Sequence, residues 1–274
     1  MKEYQVEGHA STYLPDATEN YQLIWSDEFD GDTLDRSKWD FRLSYWGRPN
    51  PAYTDAGVVV KNGCVELHRT EKDGLYVSPQ LQTGANSFDA PLGDQKSPWK
   101  QTGFWPIGEV KEPHFMHRYG YYECRCKFQR EPWIMWSAFW LQSPSIGMTY
   151  DPAWSGVESD IMEYFEPDKI TSGNIHGGYG NQFRETARIN YPFAAGDDFH
   201  TFGLLWTERE YVFYCDGKET ARSYGPVSHV PQFVLLTTEV VGYRYQDPRK
   251  VPATGAVDDA FICDYVRVFD LPHD

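Results

Sequence analysis

Apolar and polar positions alternate with a period of two along most of the chain, and no long stretch spaces its apolar residues to line one face of a helix. The pattern predicts a nearly all-β protein. Residues 119–128, 134–142, 157–165, 200–206, 233–240 and 260–269 read as strands, each rich in β-branched and aromatic side chains. Two hairpins stand out. Residues 58–67 fold around Asn62-Gly63 and residues 211–219 around Asp216-Gly217, dipeptides that suit the left-handed torsions of a type I′ turn. Strands separated by Gly and Pro turns imply a sandwich or a barrel. No linker, repeat or shift in composition divides the sequence, so residues 1–274 read as one domain. Residues 85–113, rich in Gly, Pro, Ser and Trp, read as long loops, which in compact domains often bind ligands.

Composition narrows the function. Aromatic residues make up 16% of the chain, with 10 Trp and 19 Tyr, more than a sandwich core demands. Flat amphipathic rings fill cores, and they also line grooves in which sugar faces stack. The formal net charge of −15 argues against nucleic acid and against an anionic membrane surface, both of which are bound through Lys and Arg. No uncharged apolar run approaches the ~18 residues of a spanning helix. The first residues, Met1-Lys2-Glu3-Tyr4-Gln5, lack the apolar stretch of a secretory leader, and the expectation is a secreted, cell-surface or periplasmic protein whose leader has been removed. The five cysteines, Cys64, Cys124, Cys126, Cys215 and Cys263, are odd in number and imply no disulfide framework. Each lies in a strand-like run and reads as a small buried hydrophobe, and none has zinc-site spacing.

The most informative segment is Gly156-Val157-Glu158-Ser159-Asp160-Ile161-Met162-Glu163-Tyr164-Phe165-Glu166. With 40 acidic residues in 274, an acid-x-acid-x-x-acid pattern arises about once by chance, so the pattern alone carries nothing. Its setting in a hydrophobic strand matters more, because a buried unpaired acid is costly. In a regular strand Glu158 and Asp160 share a face and Glu163 takes the other. A β-bulge at Ile161 or Met162 returns Glu163 to the first face, and bulges are frequent beside active sites. Three carboxylates so gathered could not all ionise at neutral pH, and one raised pKa is what a general acid needs.

Glu158-x-Asp160-x-x-Glu163, with Ile161-Met162 between, resembles the bulged signature of glycoside hydrolase family 16. The likeness continues in order through Trp25-Ser26-Asp27-Glu28-Phe29, Trp39, Tyr119-Gly120-Tyr121-Tyr122-Glu123 and Met135-Trp136-Ser137-Ala138-Phe139-Trp140-Leu141. Downstream it takes in Phe199-His200-Thr201-Phe202-Gly203-Leu204-Leu205-Trp206, Tyr214-Cys215-Asp216-Gly217 and Asp264-Tyr265-Val266-Arg267-Val268. The resemblance implies an all-β jelly-roll (concanavalin-A-like) sandwich of two antiparallel sheets with a concave cleft, endo-acting hydrolysis of a polysaccharide and retention of anomeric configuration. In the retaining scheme the two carboxyl groups stand about 5–5.5 Å apart. Glu158 is then the nucleophile, Glu163 the acid and base, and Asp160 the group that orients Glu158 from between them.

The same resemblance places a cleft-lining histidine at His176, as a sugar partner or a modulator of Glu163, between glycines that allow close approach. Trp136 and Trp140, four apart on a strand, share a face and are candidates for the groove. Trp46, Trp105, Trp154, Tyr243 and Tyr245 fall in loops and are candidates for sugar stacking, and Glu239 for a hydroxyl. No cofactor is expected for catalysis. The family also raises a structural calcium with Asp264 as a side-chain ligand, although calcium takes six to eight oxygens and one Asp does not declare a site. The expected substrate is a β-1,3- or β-1,3-1,4-glucan, with agarose, porphyran, carrageenan or mucin-type β-galactans as the alternative, where Arg42, Arg48 or Arg118 would pair with sulfate. A non-catalytic lectin-like module explains the aromatics and strands but leaves the three acids without a role. A transglycosylase would share the residues. The chain is expected to act as a monomer.

Overall fold

The computed structural model of the chain describes residues 1–45, 48–86, 111–132, 134–149, 151–177, 184–240 and 259–272. Two sheets face one another, and their strands are antiparallel apart from one two-residue parallel pairing. The first runs from edge to edge through Thr70–Lys72, Leu75–Gln82, Phe233–Val240, Met135–Gln142, Val157–Glu166, Lys169–His176 and Arg184–Pro192. Asp40–Phe41 and Tyr53–Thr54 also pair with Leu75–Gln82. The second runs through Lys218–Ser223, Tyr211–Cys215, His200–Trp206, Gly120–Lys127, Ala260–Asp270, Cys64–His68 and Val58–Lys61, with Gln22–Asp27 paired to Ala260–Asp270.

Both expected hairpins form. Asn62 and Gly63 take φ of 54° and 72°, Asp216 and Gly217 take 47° and 72°, and these turns close the pairs Lys61 with Cys64 and Cys215 with Lys218. A third turn of the same kind, Asp73-Gly74, joins Thr70–Lys72 to Leu75–Gln82. The six expected strands are present with ends shifted by at most one residue.

One core fills the space between the sheets. Phe139, Leu141, Ile161, Met162, Val234 and Leu236 of the first sheet meet Tyr122, Cys124, Phe202, Leu204, Val266 and Val268 of the second. Phe128 ties the layers, with Tyr164, Phe202 and Phe261 at ring separations of 4.4, 5.5 and 6.0 Å. Such aromatic pairs add about 0.5–1.5 kcal/mol each beyond their area burial. Cys124, Cys126 and Cys263 lie wholly in this core, and all five cysteines are free thiols. Burial pushes the half-buried Cys64 up to about 11, so it stays a neutral thiol at physiological pH.

The N-terminal motif supports this architecture. Asp27 accepts a hydrogen bond from Trp39 Nε1 at 2.7 Å, and Glu28 receives Arg267 through two bonds of 3.0 and 2.7 Å. Arg267 is fully buried, so that bidentate pair fastens the chain's start to the second sheet's central strand. Asp264, the calcium candidate, is ion-paired with Arg125. Among the described residues no group of three His, Cys, Asp or Glu side chains stands at metal-binding distance.

Candidate active site

The outer face of the first sheet carries a second, smaller apolar cluster of Trp136, Ala138, Trp140, Phe233 and Leu235. The carboxylates lie beside it. On the Val157–Glu166 strand the register slips by one residue between Asp160 and Glu163 against both neighbours, and again between Glu163 and Glu166 against Lys169–His176. Phe139 and Trp140 of one neighbour stand opposite Met162 and Asp160, skipping Ile161. On the other side Glu158, Asp160 and Glu163 stand opposite Ile175, Gly173 and Thr171, three positions evenly spaced by two. Because directly opposed residues share a face, all three acids project together. The extra residue is absorbed by the core, where Ile161 and Met162 are both buried. The bulge expected from the sequence is thus present, and hydrophobic burial of two adjacent side chains holds it.

Glu158, Asp160 and Glu163 are only 5%, 4% and 5% exposed. Their interactions are therefore weakly screened by water. Gln142, from the neighbouring strand, donates its Nε2 to Glu158 Oε2, and Asn86 donates in turn to Gln142 Oε1. Trp136 Nε1 donates to Glu163 Oε1 at 3.0 Å while its ring stacks on Phe165 at 3.9 Å. Hydrogen bonds to charged groups are worth about 1.5–3 kcal/mol, enough to fix each carboxylate's orientation. Arg188 reaches Glu163 Oε2 at 3.4 Å.

The remaining candidates separate by the pleat. Trp136 and Trp140 are on the carboxylate face, as their spacing predicts, yet both are buried and their indole N–H groups are engaged. Trp140 donates to Thr237 Oγ1 at 3.0 Å, and the Arg42 guanidinium lies 5.4 Å from the Trp140 ring centre. Glu239 stands opposite Trp136 and accepts from Tyr53 O–H at 3.4 Å. Trp154, on the four-residue helix Pro152–Ser155 that precedes the carboxylate strand, is 73% exposed.

His176 corrects the expectation made for it. It stands opposite Val157, whereas Ile175 stands opposite Glu158, so the pleat turns His176 away from the carboxylate row. Its Nε2 meets Thr186 Oγ1 at 3.1 Å. Burial first, and the charge of Arg184 second, hold its pKa below the usual histidine value. Trp46, Trp105, Tyr243 and Tyr245, and the side chain of Arg48, lie outside the described residues. Arg118 lies over the Tyr119 ring at 5.0 Å and donates to the His229 carbonyl at 3.5 Å, just ahead of the strand Gly120–Lys127. Sequence reasoning missed Gln142 and Arg188. Gln142 was within reach, since it continues the series Trp136, Ala138, Trp140 at a spacing of two.

Three carboxylates gathered on one sheet face beside aromatic rings suit acid–base and nucleophilic chemistry on a sugar. Residues 21–271 match the family described as beta-porphyranase A-D, GH16 domain. The chain belongs to glycoside hydrolase family 16 and is an endo-acting glycoside hydrolase. It is similar to beta-porphyranase B of Phocaeicola plebeius, at 27% identity over 312 residues that cover 98% of this chain and 91% of that enzyme. It is also similar to glucan endo-1,3-beta-glucosidase A1 of Niallia circulans, at 28% identity over 90% of this chain, although the match spans only 37% of that longer relative. Among solved structures the endo-beta-1,3-glucanase of Pyrococcus furiosus superimposes with a TM-score of 0.67 over 99% of each chain at 23% identity. The fold is the jelly-roll sandwich of that family.

Proposed function

We propose that the protein is a retaining endo-hydrolase of a β-galactan of the porphyran type. The observation that carries the chemistry is the bulged strand, which puts Glu158, Asp160 and Glu163 on one face with their even partners Ile175, Gly173 and Thr171. Glu158, oriented by Gln142, attacks the anomeric carbon. Glu163, held by Trp136, protonates the departing glycosidic oxygen and then deprotonates the water that releases the sugar. Asp160, between them, restrains Glu158 and keeps its charge localised for attack.

The substrate reading rests on the porphyranase family match and on the near full-length likeness to a porphyranase. A β-1,3- or β-1,3-1,4-glucan is the second reading, favoured by the likeness to a glucan endo-1,3-beta-glucosidase. A polysaccharide is too large to enter a cell intact, which supports a place of action outside the cytoplasm. Among the described residues no helix is long and apolar enough to cross a membrane.

The test is release of reducing ends from porphyran, agarose, carrageenan, laminarin, lichenan and mucin glycans at equal mass. Porphyran is expected to be cut at least about tenfold faster than laminarin, a preference of roughly 1.4 kcal/mol in transition-state binding. Faster cleavage of laminarin or lichenan would overturn the galactan reading in favour of the glucan one.

A further inference from the structure

The active face contains a second β-bulge, one strand beyond the pair that carries the acids. Along the Lys169–His176 and Arg184–Pro192 strands the register runs from Ser172 opposite Ile189 to Asn174 opposite Thr186. One residue, Gly173, therefore faces two, Ala187 and Arg188. Ala187 adopts φ of 52°, a left-handed conformation that costs a side-chain-bearing residue about 1–3 kcal/mol and persists only where its surroundings impose it. Gly173 allows the arrangement, because a Cβ there would stand 2.7 Å from the Arg188 Cα. Gly173 is also the residue opposite Asp160, so the bulge lies beside the middle of the carboxylate row.

The consequence is directional. The Arg188 guanidinium comes 3.4 Å from Glu163 Oε2, while Trp136 Nε1 holds the other oxygen at 3.0 Å. The pair is asymmetric in exposure, with the Glu163 side chain 6% and that of Arg188 26% exposed. A second contact from Arg188 to Glu185, at 3.2 Å, steadies the guanidinium from its own strand. Backbone strain beside an active site commonly serves such placement of a side chain.

We propose that Arg188 is a positioning residue for Glu163, holding the carboxyl in line with the glycosidic oxygen and setting the pH up to which it remains protonated. The inference rests on Glu163 being the acid and base. Other ionisable groups on this face are Asp160 and Glu158 on its own strand, Glu185 beside Arg188, Glu239 opposite Trp136, and Arg42 over the Trp140 ring. Arg188 stands at ion-pair distance from Glu163, 3.4 Å from its Oε2. An adjacent positive charge favours the carboxylate form and so lowers the pH at which the general acid loses its proton. Removing it must therefore move the alkaline limb of kcat/KM upward.

The experiment compares the pH dependence of kcat/KM for wild type, Arg188→Gln and Arg188→Lys on the best polysaccharide from the screen above, with thermal melts of each. Arg188→Gln is expected to shift the alkaline limb up by about one pH unit, and Arg188→Lys to restore most of the wild-type position. A limb that stays in place in a folded Arg188→Gln variant, or moves downward, overturns the proposal. So does an equal loss in both variants with no change of profile, because that is the signature of a purely structural role. The dependence on Glu163 is checked separately by azide rescue of Glu163→Ala. Rescue with an unmoved limb sinks the role of Arg188 alone, and absence of rescue sinks the assignment of Glu163 whatever the limb does.

Discussion

Glu158→Gln is expected to abolish hydrolysis of the polysaccharide, with kcat/KM falling on the order of 10⁴-fold or more, as when other covalent nucleophiles are removed. The amide keeps the shape of the side chain but cannot form the glycosyl-enzyme. Folding should survive. Glu158 contributes to neither apolar cluster, and a Gln there can still accept the hydrogen bond that Gln142 Nε2 donates. A melting temperature within a few degrees of wild type, together with retained binding of the polysaccharide, separates lost chemistry from lost structure. Wild-type rates in Glu158→Gln would show that another group attacks the sugar.

Glu163→Ala should behave differently, and the difference lies in the leaving group. A general acid matters most when the departing oxygen is a poor leaving group, so hydrolysis of polysaccharide should fall by about 10²–10⁴-fold while activated aryl glycosides lose much less. Loss of the base also leaves water unactivated, and the glycosyl-enzyme should accumulate. Azide, a small nucleophile that needs no base, should restore turnover and give the β-glycosyl azide. With Glu158→Ala, azide would instead enter from the opposite face and give the α product. Absence of azide rescue in Glu163→Ala, or formation of the α azide, would mean that the roles of the two glutamates are exchanged or mistaken.

Much of this site was legible in the sequence, for a definite reason. Three acids within six residues of a hydrophobic strand are hard to bury, and only a bulge brings Glu163 to the face of Glu158. The structure supplies that bulge by burying Ile161 and Met162 side by side in the core. The hairpins were legible because Asn-Gly and Asp-Gly reach positive φ at little cost. Leu75–Gln82 was not. Its outer face carries Ser78, Gln80 and Gln82, polar yet buried, and Pro79 interrupts it, so the apolar alternation that announces a strand is missing.

Arg188 was hidden by a related effect. It sits on an edge strand whose residues are mostly half-buried or exposed, and only the slipped register turns it toward Glu163. His176 was misplaced for the converse reason: the family likeness named the residue, but the pleat faces Ile175 and not His176 toward Glu158. Counting partners across a strand pair decides such cases, and that count needs the register, which one strand's sequence does not contain.

The central claim is that two glutamates on one bulged strand act by double displacement. It is tested most directly by following the anomeric proton signals of the new reducing end during the first minutes of hydrolysis, before mutarotation equilibrates them. Two inversions in succession return the original configuration, so the account predicts that the β anomer appears first and the α anomer only later. Early dominance of the α anomer would contradict it, because that outcome requires a water molecule to attack directly where Glu158 is assigned to stand.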